Sequence, residues 1–360
     1  MKVAVAMSGG VDSSTAAYLL KSEGHEVVGL SMQMYDNLTN AGTTYGGCCT
    51  IDDLADARRV AWKLDIPHFT LNLEENFHEK VIEPFVKSYL EGMTPSPCVL
   101  CNTHVKFDLL HRKAQAIGAE KIATGHYARI TRAGDGGFEL RKAKDRAKDQ
   151  SYFLFELSQA QLAEALFPLG QLTKPEVRSI AATAGLPVAR KKESYEICFV
   201  PQKDGYPAIV EREAGIARGE SAGEIVDVGG NLVGRHDGYY QFTIGQRRGL
   251  QAGGNSGRTY VIDVNAFTKR VTVGPASALE RSELIAERVH WIGGRHPESP
   301  IEVQARVRSR AADVQATVVP IGGDRARVQF AQKLRAVAPG QAVVFYDGDL
   351  CLGGGWIGRA

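Results

Sequence analysis

The chain has 360 residues, 44% hydrophobic and 23% charged, a balance that excludes a disordered or fibrous protein and predicts a soluble globular one. That length exceeds one ordinary core and predicts two or three domains. The formal net charge is only +2, so bulk charge selects no polyanionic partner, and no apolar run approaches the roughly 20 residues that span a bilayer.

In chain order, residues 2–6 form a short apolar run that stops at Ser8-Gly9-Gly10, the pattern of a buried strand. Helical spacing follows over 13–22, and 26–31 read as a second strand. A polar, glycine-rich loop covers 36–50. Residues 51–64 predict an amphipathic helix with Leu54, Ala57, Val60 and Ala61 on one face. A strand at 68–73, helical stretches at 74–90 and 106–117, and a short strand at 121–124 come next. Strands alternating with helices imply a doubly wound α/β domain, its parallel sheet covered on both faces.

After about residue 201 the texture changes. Glycines crowd in at 219, 223, 229, 230, 234 and 238, and short β-like runs appear at 239–244, 258–264 and 270–273. Alternation at 301–308, 314–319, 325–330 and 342–346 predicts an antiparallel barrel. The expected organisation is an α/β domain (1–200), a small β-rich connector (201–280) and a C-terminal antiparallel β-barrel (281–360).

Residues 1–7 enter a strand directly, without the ordered regions of a secretory leader, so the expected location is the cytoplasm. Six cysteines in such a chain then predict ligands or redox nucleophiles rather than staples. Basic residues cluster four times: at 141–148, at 190–192, at Arg247 and Arg248, and at Arg306, Arg308 and Arg310. Any one cluster is most simply a solvated face; four on a near-neutral chain point toward a phosphate-rich partner.

The sharpest signal is Ser8-Gly9-Gly10-Val11-Asp12-Ser13-Ser14, set between a buried strand and a helix. Unpaired N–H groups at a helix start form an anion site. Glycine lets the backbone approach a phosphate closely, and Asp12 can hold a Mg²⁺ bound to pyrophosphate. The loop has neither Gly-Lys-Ser/Thr nor Gly-x-Gly-x-x-Gly, which disfavours γ-phosphate hydrolysis and dinucleotide binding. Its bland counterpart is a tight turn capped by Ser or Asp.

Two thiols stand three apart at Cys98 and Cys101, just before the helix read at 106–117, where a thiol becomes a competent nucleophile. Cys198 lies near Arg190, Lys191 and Lys192, which also favour thiolate. Half a zinc site is the competing reading for the pair. Cys351 reads as a small buried hydrophobe, and adjacent Cys48 and Cys49 carry no assigned role.

The loop resembles the PP-loop of ATP pyrophosphatases, which cleave ATP between the α- and β-phosphates and adenylate an oxygen. More of the chain is similar to the tRNA-specific 2-thiouridylase family. The resemblance rests on Thr94-Pro95-Ser96-Pro97, Cys101-Asn102, Lys106-Phe107, Ala123-Thr124-Gly125-His126-Tyr127-Ala128-Arg129, residues 148–154, Ile197-Cys198-Phe199 and residues 242–247. These occur in order from Met1 to the Pro339-Gly340-Gln341 segment.

The resemblance implies an ATP- and Mg²⁺-dependent sulfurtransferase acting on tRNA, with sulfur supplied by a cysteine desulfurase or sulfur-relay protein and no membrane partner. It places ATP against Ala6, Met7, Ser8, Gly9, Gly10, Val11, Asp12, Ser13, Met32 and Gly125. It assigns Cys198 the persulfide and Cys101 the partner thiol. Ser96, Pro97 and Cys98 would line the target base, with His126 near substrate; Lys148, Asp149, Gln150, Arg308, Ser309 and Gln341 would touch tRNA. Two positions depart from the family pattern. Cys98 stands where Asp is common, which removes a carboxylate proposed for acid/base work, and Ser309 replaces the aromatic that usually follows the arginine.

The implied chemistry is adenylation of the uracil C2 oxygen, which turns a poor leaving group into AMP, followed by sulfur attack from a persulfide. A rival uses Cys98, Cys101 and Cys198 as thiolate ligands of a [4Fe–4S] cluster. The other readings are a PP-loop ligase acting on a small molecule, which tRNA-stimulated AMP release separates, and a non-catalytic RNA-binding or sulfur-carrier protein, which would show no ATP-dependent turnover.

Overall fold

The structure is a computed structural model that describes residues 1–35, 50–193, 197–201, 203–250 and 258–359. Most of the loop read at 36–50, with Cys48 and Cys49, lies outside the described residues.

Strand β1 (Lys2–Ala6) is the centre of a five-stranded parallel sheet. It pairs with β2 (Glu26–Gln33) on one side and β4 (Lys121–Ala123) on the other. The outer places go to β3 (His68–Asn72) and to Ala165–Leu166. A strand buried on both faces has no polar side to show, and β1 accordingly reads Val-Ala-Val-Ala. Val3 and Val5 point into a core with Val11, Leu20, Ala57 and Val60. Ala4 and Ala6 point into the opposite core with Phe77, Phe85, Val105 and Leu110. Helices α1 (Val11–Ser22) and α2 (Ile51–Lys63) therefore cover one face. The helical stretches that begin at Glu74 and Pro97 cover the other. The doubly wound sheet of the sequence reading is present.

The second of those stretches starts nine residues earlier than expected. Pro97 occupies its first turn, where a missing N–H costs nothing, and helix runs on through a π-helical segment, Cys101–Leu110, to Ala116. Cys98 and Cys101 thus sit inside the helical segment rather than ahead of it.

A four-stranded sheet follows, ordered Tyr260–Asn265, Arg270–Gly274, Gly223–Asp227, Leu232–His236. The strand expected at 239–244 is instead a 3₁₀ turn, Tyr239–Gln241. Consecutive Tyr239 and Tyr240 are both buried, which a strand with one solvated face does not allow. Their hydroxyls donate to Leu90 O at 2.8 Å and Glu211 Oε1 at 2.9 Å.

Six antiparallel strands between Glu280 and Ile357 close into a barrel, because Glu280–Trp291 pairs with both Ala326–Arg335 and Leu350–Ile357. A hairpin of β5 (Ala128–Arg132) and β6 (Phe138–Lys142) extends this sheet through Leu350↔Arg141 and Cys351↔Leu140. The first α/β unit and the barrel therefore share main-chain hydrogen bonds, which the sequence reading did not anticipate. Among the described residues, no helix is long and apolar enough to cross a membrane.

Candidate active site

The phosphate loop joins β1 to α1 at the C-terminal edge of the sheet, where open α/β sheets bind ligands. Gly10 caps α1 with extended backbone and no side-chain cap bond, so the first-turn N–H groups keep their donor capacity toward the cavity. Gly9 has φ +70°, and a Cβ there would stand 2.1 Å from the Asp53 carbonyl oxygen. Gly125 makes the reciprocal approach: a Cβ would lie 2.7 Å from Ser13 N. Glycine is required at both because backbone meets backbone. Ser13 braces the loop, its Oγ accepting from Ser8 N at 3.2 Å and donating to Gly10 O at 3.3 Å.

One cavity of about 800 Å³ gathers segments far apart in sequence. Its wall includes Ser8, Gly10, Val11 and Asp12 from the loop, and Ser96, Pro97 and Cys98 from the start of the helical segment. Lys148, Asp149 and Gln150 add a third side, and Ser309 and Gln341 come from the barrel. Ala6, Met7, Gly9, Ser13, Met32, Cys101, Gly125, His126, Cys198 and Arg308 are not in its lining. Met7 and Met32 are buried in opposite cores. Cys98 is exposed, Cys101 buried and Cys198 half-buried, and none of the three is in a disulfide.

Several of these side chains hold the site rather than face it. Gln341 donates to Thr94 O at 3.1 Å and Pro95 O at 2.8 Å, so the barrel grips the segment leading to Ser96 and Pro97. Gln150 accepts from Tyr127 N at 2.9 Å. Arg308 donates to the carbonyls of Arg335 and Ala336 at 3.0 and 2.6 Å. The Asp149 carboxylate is 2% exposed and accepts from Ala143 N, Ser151 Oγ and Arg306. His126 shares a 2.7 Å hydrogen bond with Thr124 Oγ1 and stacks edge-on against Phe167. Burial, then the nearby Lys106 charge, holds His126 well below the usual histidine range.

The basic clusters divide. Lys142 is buried, its ammonium 2.7 Å from both Asp313 Oδ2 and Gly348 O and over the Tyr346 ring. Arg141 pairs with Glu139, Lys144 with Glu176, and Arg146 with Asp349. The 141–148 cluster is thus mostly engaged within the protein; Arg146 and Lys148 reach the cavity. Lys191, expected beside Cys198, instead has its ammonium bound to Gly9 O at 3.1 Å, Asp53 Oδ1 at 2.6 Å and Asp56. Burial opposes its charge, and the two carboxylates overcome that and raise its pKa. Lys192 and Arg310 are exposed and line the cavity.

Lys174 and Tyr127 were missed as site residues. Lys174 donates to both Asp12 oxygens at 2.7 Å, and the Tyr127 hydroxyl donates to Asp12 Oδ1 at 2.8 Å. The legible signal was Thr173-Lys174-Pro175-Glu176, a capping box that starts the helix Lys174–Thr183. It announces the helix but not where its first turn points.

Among the described residues, no group of three His, Cys, Asp or Glu side chains is gathered to hold a metal ion. Cys98, Cys101 and Cys198 as placed do not make the thiolate set of a [4Fe–4S] cluster.

Residues 1–202 match the family model described as the tRNA methyl transferase HUP domain. Residues 216–275 match the tRNA methyl transferase PRC-barrel domain, and residues 281–357 the aminomethyltransferase beta-barrel domain. The chain is 51% identical to a tRNA-specific 2-thiouridylase MnmA of Geotalea uraniireducens, across 100% of this chain and 95% of the relative. A second protein of that name, from Geobacter metallireducens, is 50% identical over 100% of this chain and 97% of its own. A third, from Solibacter usitatus, is 48% identical over 99% and 98%.

Proposed function

The chain belongs to the tRNA-specific 2-thiouridylase family, and from that premise we propose that it thiolates C2 of the wobble uridine of tRNA at the expense of ATP. The supporting observation is the single cavity in which the phosphate loop, the Ser96–Cys98 segment, residues 148–150 and the barrel's Ser309 and Gln341 meet. Residues 1–200 act as the catalytic unit, 201–280 as a connector and 281–360 as a tRNA-contacting barrel, in the reducing cytoplasm. Two matched models are described by methyl transfer; the loop, with its uncapped helix start and Asp12, argues for nucleotide phosphate chemistry instead.

ATP lies with its phosphates on the loop, where Asp12 would hold a Mg²⁺ that offsets their charge. The uracil, unstacked from its neighbours at a cost of a few kcal/mol, enters beside Ser96, Pro97 and Cys98. Its C2 oxygen attacks the α-phosphorus and pyrophosphate departs. The terminal sulfur of a Cys198 persulfide attacks C2, and the C2–O bond breaks to release AMP. The Cys101 thiolate then attacks the Cys198 sulfur. The S–S bond to the transferred sulfur breaks, a Cys101–Cys198 disulfide forms, and the thiocarbonyl remains on the base. An external thiol reductant reopens the disulfide, and a sulfur donor reloads Cys198.

Measurement of AMP, pyrophosphate and 2-thiouridine with bulk tRNA tests the reading. One AMP per thiolated base is expected, released only with tRNA present; ADP and phosphate as products sink it. Cys98→Ser separates the persulfide route from the cluster route. The former predicts activity within about threefold of wild type, the latter near-complete loss.

A further inference from the structure

The phosphate loop contains no lysine, yet charge grows on pyrophosphate as it leaves, and enzymes of phosphate chemistry ordinarily meet it with a fixed cation. We propose that Lys174 is that cation: its ammonium binds the β- and γ-phosphates of ATP and stays with pyrophosphate as the α–β bond breaks. The proposal rests on the ATP reading above.

Four observations carry it. First, the side chain is 9% exposed yet contributes to the same cavity wall as Ser8, Gly10, Val11 and Asp12. Its exposed part faces the loop, where the phosphates lie. Second, the ammonium is placed by the fold rather than by its flexible stem. Lys174 is the first residue of its helix, fixed by the Thr173–Glu176 capping box and by its own N–H donating to Asp145 Oδ2 at 2.9 Å. That helix packs on α1 through Val177 and Ala16. Third, it shares Asp12, the carboxylate suited to Mg²⁺: both Asp12 oxygens lie 2.7 Å from Nζ. A Mg²⁺ accompanying ATP would be held by Asp12, and the Lys174 ammonium would then be free to turn to the phosphates. Fourth, the ammonium has a second carboxylate. Lys174 also meets Glu193 at 3.0 Å, which Lys148 meets at 2.6 Å and Arg178 at 3.8 Å. Glu193 therefore stays beside Lys174 when Asp12 changes partner, so the exchange does not strand the ammonium without a carboxylate.

The competing role is structural: Lys174 ties Asp12 in place and touches no phosphate. Binding of inorganic pyrophosphate and of AMP to the full-length protein, with Mg²⁺ and with EDTA, separates the two. Phosphate contact predicts that Lys174→Met weakens Mg²⁺-free pyrophosphate binding by about tenfold or more. AMP binding, which uses neither lost phosphate and reports an intact pocket, stays within about twofold, and Lys174→Arg restores most of the pyrophosphate affinity. A loss confined to Mg²⁺-containing buffer means Lys174 acts only through Asp12 and overturns the proposal.

Asp12→Asn provides a second, opposite sign. It removes the carboxylate competing for the ammonium, so Mg²⁺-free pyrophosphate binds more tightly. Unchanged or weaker binding overturns the proposal even where Lys174→Met fails to fold. Wild-type protein that binds neither AMP nor pyrophosphate removes the ATP reading and this proposal with it.

Discussion

The loop end of the parallel sheet and the seam between hairpin and barrel use similar charged residues to opposite ends. At the loop, Lys174 and Lys191 meet Asp12, Glu193, Asp53 and Asp56, and much of this set borders a cavity of about 800 Å³. At the seam, Arg306 meets Asp313 at 2.6 Å and Lys142 meets Asp313 at 2.7 Å; Lys142 and Asp313 lie outside the cavity lining, whereas Arg306 and Asp149, 3.0 Å apart, border it. Both cations there sit against the Tyr346 ring. Open-sided pairs can exchange a partner for a ligand. The Lys142–Asp313 pair, away from the cavity, cannot, and removing one member strands a desolvated charge. Composition does not distinguish the two regions; access does.

Breaking each region should therefore fail differently. Asp12→Ala is expected to lower tRNA-dependent AMP release by a factor on the order of 10³ while leaving the thermal midpoint near wild type. Asp313→Ala should cost about 3–5 kcal/mol by denaturant titration, with turnover per folded molecule unchanged. Loss of activity without loss of stability in Asp313→Ala would erase the distinction. The seam also sets a pH dependence. Burial raises the Asp313 carboxyl, but Arg306 and Lys142 outweigh it and hold it below the usual range. Its folded value being depressed, its contribution is present above the unfolded carboxylate range and is lost as pH falls through the lower, folded one.

Salt sharpens the same contrast. Lys192 and Arg310 are exposed on the cavity rim, so replacing both with Gln should flatten the slope of log affinity for tRNA against log salt by roughly 1.4–1.8. Arg141→Gln with Lys144→Gln should leave it unchanged, because their partners are Glu139 and Glu176. Equal slopes for the two double variants would return the 141–148 cluster to the RNA face.

The smallest effect belongs to His126. Its folded pKa lies well below the ordinary 6.5, so the unfolded chain binds the extra proton first as pH falls. Stability should decline below about pH 6.5, by at most about 1.4 kcal/mol per pH unit, until the folded pKa is reached. His126→Gln should remove that part of the slope; an unaltered profile would mean that folding does not shift the imidazole's pKa.

The sequence by itself determined whatever depends on neighbours along the chain. The Val-Ala-Val-Ala strand had to be buried on both faces, Gly9 and Gly10 had to open a helix with unpaired N–H groups, and the alternation after residue 300 had to close as antiparallel sheet. Only the tertiary structure decided which charges meet. Lys174 and Asp12 stand 162 positions apart, Arg306 and Asp149 157, and Gln341 and Pro95 246. The β5–β6 hairpin joins the barrel through a strand that begins at Leu350. No local periodicity encodes such pairings. A lysine's role follows from which carboxylate the fold delivers to it and whether water can still reach the pair. Lys142 and Lys174 look alike in sequence, and burial against Tyr346 makes one a fastener while the cavity makes the other available to a ligand.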